Sequence, residues 1–494
     1  MDIKEKVGQR LMMGINGKTI DSETKEHLLA IKPGSVILFS RNISSAEQVQ
    51  ALISQINELL PSPPLIAIDQ EGGRVIRFTK DITVFPGNMA LGAADSPDVI
   101  TSHRNPGITI RSFGDDPLRV SELAVAFIQG TQEMGVAAVA KHFPGKGAAE
   151  VDAHIDLPTI TIPRNTFEKT HIFPFRQATE NGVMGIMSTH IHCPELDSEG
   201  PYPATLSQKI VKDFIRTDLN YNGVIFSDDM EMGAIIKHYP IEDACLKATL
   251  AGHDMLLICS NYQHQKKGFE ALVNGYDSSS LSAEELDASV ERIRNMKNFC
   301  SNNTPLHQHN TTHNPEDIAQ QIAQKSITII SDDKHLLPTD RKKVKDILLL
   351  IPDLSALPAL EEGYEPTEEH FLIKECTHHF SGKLVFNFFS LNPGPEEIEQ
   401  IARTGSKHSL CVVFISNAQG NEGQRLLIDK LHQCENNFIF ALMDNPFDLT
   451  LLNRDDTCIT SYGFRKNQLL SLIKVIFGKA EAKGSLPFKE SLNG

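Results

Sequence analysis

Three stretches of this chain put ionisable side chains after short apolar runs, and a fourth holds Arg111. Asp69 follows Leu65-Ile66-Ala67-Ile68, and Arg77 stands eight residues further on. Lys141 and His142 follow Val136-Ala137-Ala138-Val139-Ala140 and open a loop that holds Pro144, Gly145, Gly147, Asp152 and His154. Asp228 comes just after Gly223-Val224-Ile225-Phe226 and Ser227, and Arg111 precedes Ser112-Phe113-Gly114. An aspartate at a buried strand end, with no Ser or Cys nucleophile motif beside it, suits a carboxylate nucleophile or a ligand for sugar hydroxyls. Asp152 and His154, two apart in an extended loop, can point the same way, so the carboxylate can orient the imidazole. Each has a plainer alternative. Asp228 could cap the turn Met230–Ile235, although Asp229 can do that instead. Arg77 and Arg111 could form surface ion pairs, Lys141 could snorkel from a strand end, and His142 could be a satisfied loop histidine.

The elements around these residues alternate. Up to about residue 300, strands at Val36–Phe39, Leu65–Ile68, Val136–Ala140, Val183–Met187, Gly223–Phe226 and Asp254–Ile258 are predicted. Helical patterns lie between them, as in Ser45–Leu60, Leu118–Met134, Ser207–Leu219 and Ile241–Ala251. Polar residues follow each strand, among them Ser188-Thr189-His190. Repeated βα units with chemistry collected after the strand ends predict an α/β fold, a TIM-type (β/α) barrel, with the candidates at one mouth. A doubly wound sheet would obey the same rule, but no glycine-rich nucleotide motif supports it. One span is short. Asp95 to Ile110 has neither an amphipathic helix nor an apolar run, so the barrel is expected to lack one βα unit there.

Residues 301–315 are polar and aperiodic and read as a linker. Their His307, His309 and His313 could bind a metal, but no acidic or Cys ligand stands beside them, and no metal or cofactor is expected. A second alternating series occupies 316–494, with strands at Ile327–Ile330, Ile347–Ile351, Leu384–Phe388, Leu410–Ile415, Phe438–Leu442 and Cys458–Ser461. It is expected to form a supporting C-terminal α/β sandwich domain beside a catalytic domain at 1–300.

A net charge of −16 argues against nucleic acid or an anionic membrane surface as the main partner. No apolar run reaches signal-peptide or membrane-spanning length, so a cytoplasmic protein is expected, as a monomer or weak dimer. Eight scattered cysteines without a CxxC pair fit reduced thiols and give no zinc framework.

Long segments carry a family resemblance: DQEGGRV (69–75), PGNMALGAA (86–94), RSFGDDP (111–117), KHFPGKGAAEVDAHIDLP (141–158), IMSTHI (186–191) and VIFSDDMEM (224–232). With the C-terminal SYGFRKNQLLSLIKVIFGKAEAKGSLP (461–487), they resemble the two-domain β-N-acetylglucosaminidases of glycoside hydrolase family 3, of the type that serves bacterial cell-wall recycling. The resemblance covers nearly the whole chain. It implies a retaining exo-hydrolase that removes non-reducing GlcNAc from muropeptides. It implies that Asp228 is the nucleophile, His154 the general acid/base and Asp152 its orienting partner. It further implies that Asp69, Arg77, Arg111, Lys141 and His142 hold the terminal sugar. A histidine, with a reference pKa of about 6.5, is a side chain suited to acid/base work at neutral pH.

The chain departs from the family's KHFPGHGDTxxDSH pattern, with Lys146 for the second His, Ala148-Ala149 for Asp-Thr and Ala153 for Ser. It also lacks the helix and strand that usually precede the segment at Arg111. Two other readings follow from these features: a phosphorylase, because an imidazole acid/base repels phosphate less than a carboxylate does, and a sugar-binding protein without turnover.

Overall fold

A computed structural model describes residues 1–94, 105, 108–302, 314–339, 344, 346–354 and 369–488. Most of the shortened span before Arg111, most of the 301–315 tract and its three histidines lie outside the described residues. The chain divides into two compact units that do not follow chain order. The first holds Met1–Asp69, Arg104–Ile108 and Pro117–Asn310; the second holds Gln70–His103, Thr109–Asp116 and Thr311–Gly494. Residues 70–94 and 109–116 thus group with the C-terminal sheet, whereas chain order had assigned them to the barrel. The reason is apolar: Met89, Ala90, Ala93 and Ile110 are buried in the core of the second unit.

The first unit is built on seven parallel strands, β1 (Leu11–Gly14), β2 (Ser35–Leu38), β3 (Leu65–Ile68), β4 (Val139–Phe143), β5 (Gly185–Ser188), β6 (Val224–Asp229) and β7 (Met255–Ile258). Their order is β3-β2-β1-β7-β6-β5-β4. Among the described residues no strand joins β3 to β4, so the barrel-type sheet stays open where one βα unit was expected to be missing. Both edges show it: Ile68 at the end of β3 is 37% exposed and Val139 at the start of β4 is 36% exposed. β1 was not among the predicted strands, because Leu11-Met12-Met13 is too short to stand out. β4 is also displaced relative to the predicted run, so Lys141 and His142 stand inside the strand.

The central strands are covered on both faces, as parallel sheets require. Met12, Val224, Phe226, Met255 and Leu257 form an inner cluster, joined by Ile293 and Met296 from helix Ala283–Asn302. The alternate residues Leu11, Met13, Leu256 and Ile258 pack with the surrounding helices. Helix Ala46–Leu59 starts where expected: Ser45 accepts the N–H of Gln48, and Val49, Leu52 and Ile56 are buried. At the N-terminal end of β7, the buried Asp254 carboxylate accepts from Arg292 Nη1, Ser289 Oγ and the backbone N–H of Ile225, the first two on Oδ1 and the third on Oδ2, each at 2.8 Å. That knot fixes the start of β6, the strand that carries Asp228.

The second unit holds β8 (Thr328–Ser331), β9 (Asp346–Pro352), β10 (Lys383–Phe389), β11 (Leu410–Ile415), β12 (Phe438–Leu442) and β13 (Thr457–Thr460), in the order β10-β9-β11-β12-β13-β8. β8 alone runs antiparallel, along β13. The sheet has an apolar cluster on each face, one through Leu348, Val413 and Phe440 and the other through Leu349, Phe414 and Ile439. This is the expected α/β sandwich. Among the described residues no helix is long and apolar enough to cross a membrane.

Candidate active site

The first unit brings four of the candidate side chains together at the C-terminal ends of its strands. Lys141 Nζ on β4 donates to Asp69 Oδ1, just past β3, at 2.6 Å. The next residue, His142, is buried, and its Nε2 lies 4.0 Å from Asp228 Oδ2 at the end of β6. That separation is beyond a hydrogen bond but well within electrostatic reach. The carboxylate of Asp228 is 14% exposed, open enough to meet a substrate yet largely shielded from bulk water.

Asp228 is not a helix cap. It lies within β6, and the following helix, Gly233–Ile236, begins only after Met232. Strand pairing with β7 slips between Phe226 and Asp229, so Ser227 and Asp228 sit on a bulge. Bulges of this kind re-aim side chains beside active sites.

The loop after β4 carries the second group. His154 Nδ1 lies 2.7 Å from Asp152 Oδ1, and the same oxygen accepts the His154 backbone N–H at 2.9 Å. Burial pushes the Asp152 carboxyl up, but the two hydrogen bonds from His154, its charge and that of Lys146 outweigh this and hold the pKa at about 2. Asp152 is thus an ionised acceptor at neutral pH and leaves Nε2 of His154 for a substrate. The His154 side chain is 64% exposed.

This loop is tied to the helix behind Asp228. Ala234 N–H donates to the Ala153 carbonyl at 3.1 Å, and Gly233 N–H to the His154 carbonyl at 3.3 Å. Buried Ala153 packs against Met232 and Ala234. A Cβ at Gly233 would fall 2.5 Å from the His154 carbonyl oxygen, so only glycine permits this docking. On the other side, Asn105 Nδ2 donates to the carbonyls of Lys146 and Gly147 at 2.5 and 3.1 Å.

Arg77 and Arg111 belong to the second unit. There Arg111 forms a two-pronged pair with Glu71, Nε to Oε2 at 2.9 Å and Nη2 to Oε1 at 2.8 Å. The Arg77 backbone N–H donates to Gln70 Oε1 at 2.9 Å.

Three residues that sequence reasoning did not single out stand behind the site. Asp229 Oδ1 accepts the N–H groups of Glu231 and Cys259 at 3.1 and 3.2 Å. Glu231 accepts from His264 Nδ1 at 2.8 Å and from the Asn261 N–H at 3.1 Å. His190 Nε2 meets the Asp229 carbonyl at 2.9 Å. Their only sequence signal was the polar residue after a strand, which these share with many structural positions.

Comparison with known proteins shows the family. Residues 2–103 and 97–296 match the glycosyl hydrolase family 3 N terminal domain. The two matched stretches overlap at residues 97–103. A β-hexosaminidase from Alkalilimnicola ehrlichii is 34% identical over 283 residues, covering 51% of this chain and 80% of that one. β-Hexosaminidase A from Pseudoalteromonas piscicida is 26% identical over 546 residues, covering 95% of this chain and 91% of that one. Among solved structures, a family 3 β-N-acetylglucosaminidase from Paenibacillus sp. str. FPU-7 overlays with a TM-score of 0.91 and 29% identity, over 100% of both chains. The β-glucoside phosphorylase BglX overlays at 0.80 with 22% identity over 100% of this chain and 95% of that one, a likeness of fold alone. Strand-end carboxylates on a curled parallel sheet, a second α/β unit and a matched domain spanning most of residues 2–296 together make this chain a member of glycosyl hydrolase family 3.

Proposed function

We propose that the chain is a retaining exo-β-N-acetylglucosaminidase that removes terminal GlcNAc from cell-wall muropeptides in the cytoplasm. The observation that carries this reading is the pairing of two arrangements in one unit. A partly shielded Asp228 lies beside His142, and an Asp152–His154 dyad sits on a loop docked to the helix that follows Asp228. The β-hexosaminidase relatives support the amino-sugar substrate.

In the first half-reaction an Asp228 oxygen attacks C1 of the sugar and the bond from C1 to the leaving oxygen breaks. His154 delivers its Nε2 proton to that oxygen, while Nδ1–H stays on Asp152. In the second, water attacks C1, its proton passes to Nε2, and the Asp228 ester bond breaks. GlcNAc leaves with its original anomeric configuration. Asp69 and Lys141 offer an acceptor and a donor to sugar hydroxyls. By resemblance, His142 also holds the sugar.

Hydrolysis of p-nitrophenyl-GlcNAc by the wild type, Asp228→Ala and His154→Ala tests the reading. Loss of about 10²-fold or more in both variants is expected. Equal, near-background rates in all three would replace the enzyme with a sugar-binding protein. Release of GlcNAc-1-phosphate in phosphate buffer would make it a phosphorylase.

A further inference from the structure

The bulge that presents Asp228 leaves it without the ladder that holds the rest of β6. Pairing with β5 ends at Met187–Phe226, and the register with β7 slips between Phe226 and Asp229. The next residue compensates. Asp229 turns its backbone N–H back onto Asp228 Oδ1 at 2.9 Å. Its carbonyl accepts from His190 Nε2 at 2.9 Å, where a strand neighbour would otherwise have donated.

The histidine is itself held from behind. A carbonyl only accepts, so Nε2 carries a proton, and Nδ1 of the neutral ring accepts one. Thr205 Oγ1 lies 2.9 Å from that Nδ1, and Ser188 Oγ lies 3.0 Å from Thr205 Oγ1. Ser188 Oγ also lies 2.8 Å from His253 Nε2, and His253 Nδ1 meets the Ala248 carbonyl at 2.9 Å. Ser188, His190, Thr205 and His253 are all buried. Burial pushes both imidazoles down, His253 to about 4; a neutral His253 that donates from Nδ1 to Ala248 takes the Ser188 hydroxyl on Nε2, and the Thr205 hydroxyl donates to His190 Nδ1. A ring bonded at both nitrogens has a fixed tautomer and a fixed plane.

We propose that His190 is a positioning residue for the nucleophile: its Nε2–H holds the carbonyl of Asp229, and the N–H of that same residue, on the preceding peptide plane, aims Asp228. This rests on Asp228 being the nucleophile. It explains why a buried ring with two hydrogen bonds stands where β5 pairing ends. A residue that only filled space there would need neither nitrogen.

The test compares His190→Ala, His190→Gln and Thr205→Val with the wild type, and runs Asp228→Ala beside them. Glutamine can return an N–H near the Nε2 position. Expected for His190→Ala is a 10- to 100-fold lower kcat on p-nitrophenyl-GlcNAc, on the order of a lost general positioning contact, with KM within about twofold. The rate of covalent trapping by a 5-fluoro glycosyl fluoride should fall in parallel. His190→Gln should recover most of the loss, and Thr205→Val should show a smaller loss of the same kind. Thr205→Val and His190→Gln keep the proposal testable if the alanine variant does not fold. Wild-type kcat in these variants, a rise in KM alone, or equal damage from Ala and Gln would each overturn it. If Asp228→Ala is dead while the His190 variants are normal, only the positioning role is lost. If Asp228→Ala retains wild-type turnover, the nucleophile assignment falls and this inference falls with it.

Discussion

Lys141 and Asp69, 72 residues apart in sequence, form a 2.6 Å ion pair across the open edge of the barrel-type sheet. Asp69 follows β3 and Lys141 lies within β4, the two edge strands, which do not pair with each other among the described residues. The sheet therefore curls far enough for its edges to meet at the catalytic end through side chains. This pair is predicted to matter for stability as well as for sugar binding. Lys141→Gln and Asp69→Asn should each cost about 1–2 kcal/mol, and the double variant less than their sum, because the pair is partly buried. Urea unfolding of the four proteins measures the coupling; strict additivity would remove it.

The dyad predicts a tautomer effect. Asp152 accepts from His154 Nδ1, so Nε2 is the nitrogen left for the proposed acid/base role. In Asp152→Asn the amide can donate to Nδ1, so the ring keeps a single proton on Nε2 and the doubly protonated form that acid catalysis uses is disfavoured. A kcat/KM loss of about 10²-fold is expected on substrates with poor leaving groups. The loss should shrink on 2,4-dinitrophenyl-GlcNAc, whose leaving group needs no proton. Equal losses on both would argue against acid catalysis by this pair.

Gly233 sets the seat of the acid/base loop. Its missing Cβ leaves room for the His154 and Ile155 carbonyls, which would otherwise lie 2.5 and 2.6 Å away. Gly233→Ala should push the loop off the helix, lower kcat by 10-fold or more and cost about 1–3 kcal/mol of stability, as overpacking against backbone does. Faster proteolytic nicking within residues 145–158 would report the displaced loop.

Asp229 makes stability depend on pH. Burial raises its carboxyl, with the Glu231 and Asp228 charges adding to the effect, to about 7. The folded value lies above the unfolded one, so the folded state binds more protons between about pH 4 and 7. Stability from this group is full below about pH 4, falls as pH rises and is lost above about 7. Asp229→Asn keeps an acceptor for Glu231 and Cys259 N–H and removes the charge. It should gain about 1–3 kcal/mol at pH 8 and nothing at pH 4, read from thermal melts at the two values.

The second unit contains a buried pair with a different outcome. Asp444 is 1% exposed, neither of its oxygens accepts a hydrogen bond among the described residues, and Arg74 Nη1 lies 3.9 Å away. Burial pushes the Asp444 carboxyl up, and the Arg74 charge opposes it. Arg465 Nε donates to the adjacent Gly73 carbonyl at 2.8 Å, so the 70–76 turn is clamped twice. Arg74→Met alone should cost about 3 kcal/mol because it strands the carboxylate. Arg74→Met with Asp444→Leu should cost less than either single change. Denaturant unfolding of the three variants checks the order.

Local rules carried much of this protein. The βα alternation, the Ser45 cap, the second α/β series and the strand-end positions of Asp69 and Asp228 were legible, because burial periodicity and capping act over a few residues. The Asp152–His154 pair was legible for the same reason, since two residues of extended chain already bring the groups together. The shortage of one βα unit could be read from the length and polarity of Asp95–Ile110 alone.

What the tertiary structure decided was non-local. No periodicity assigns Met89, Ala90 and Ile110 to the second core rather than the first, because an apolar helix face fits either until a sheet is there to receive it. Nor does any local signal couple Lys141 to Asp69 or His190 to the Asp229 carbonyl. The first joins two sheet edges that meet only when the sheet has curled, and the second joins the ends of two strands brought side by side by pairing. Sequence by itself fixed which groups could do chemistry. Folding selected their partners, because the cost of burying a polar atom is met only by whatever packing brings within about 3 Å of it.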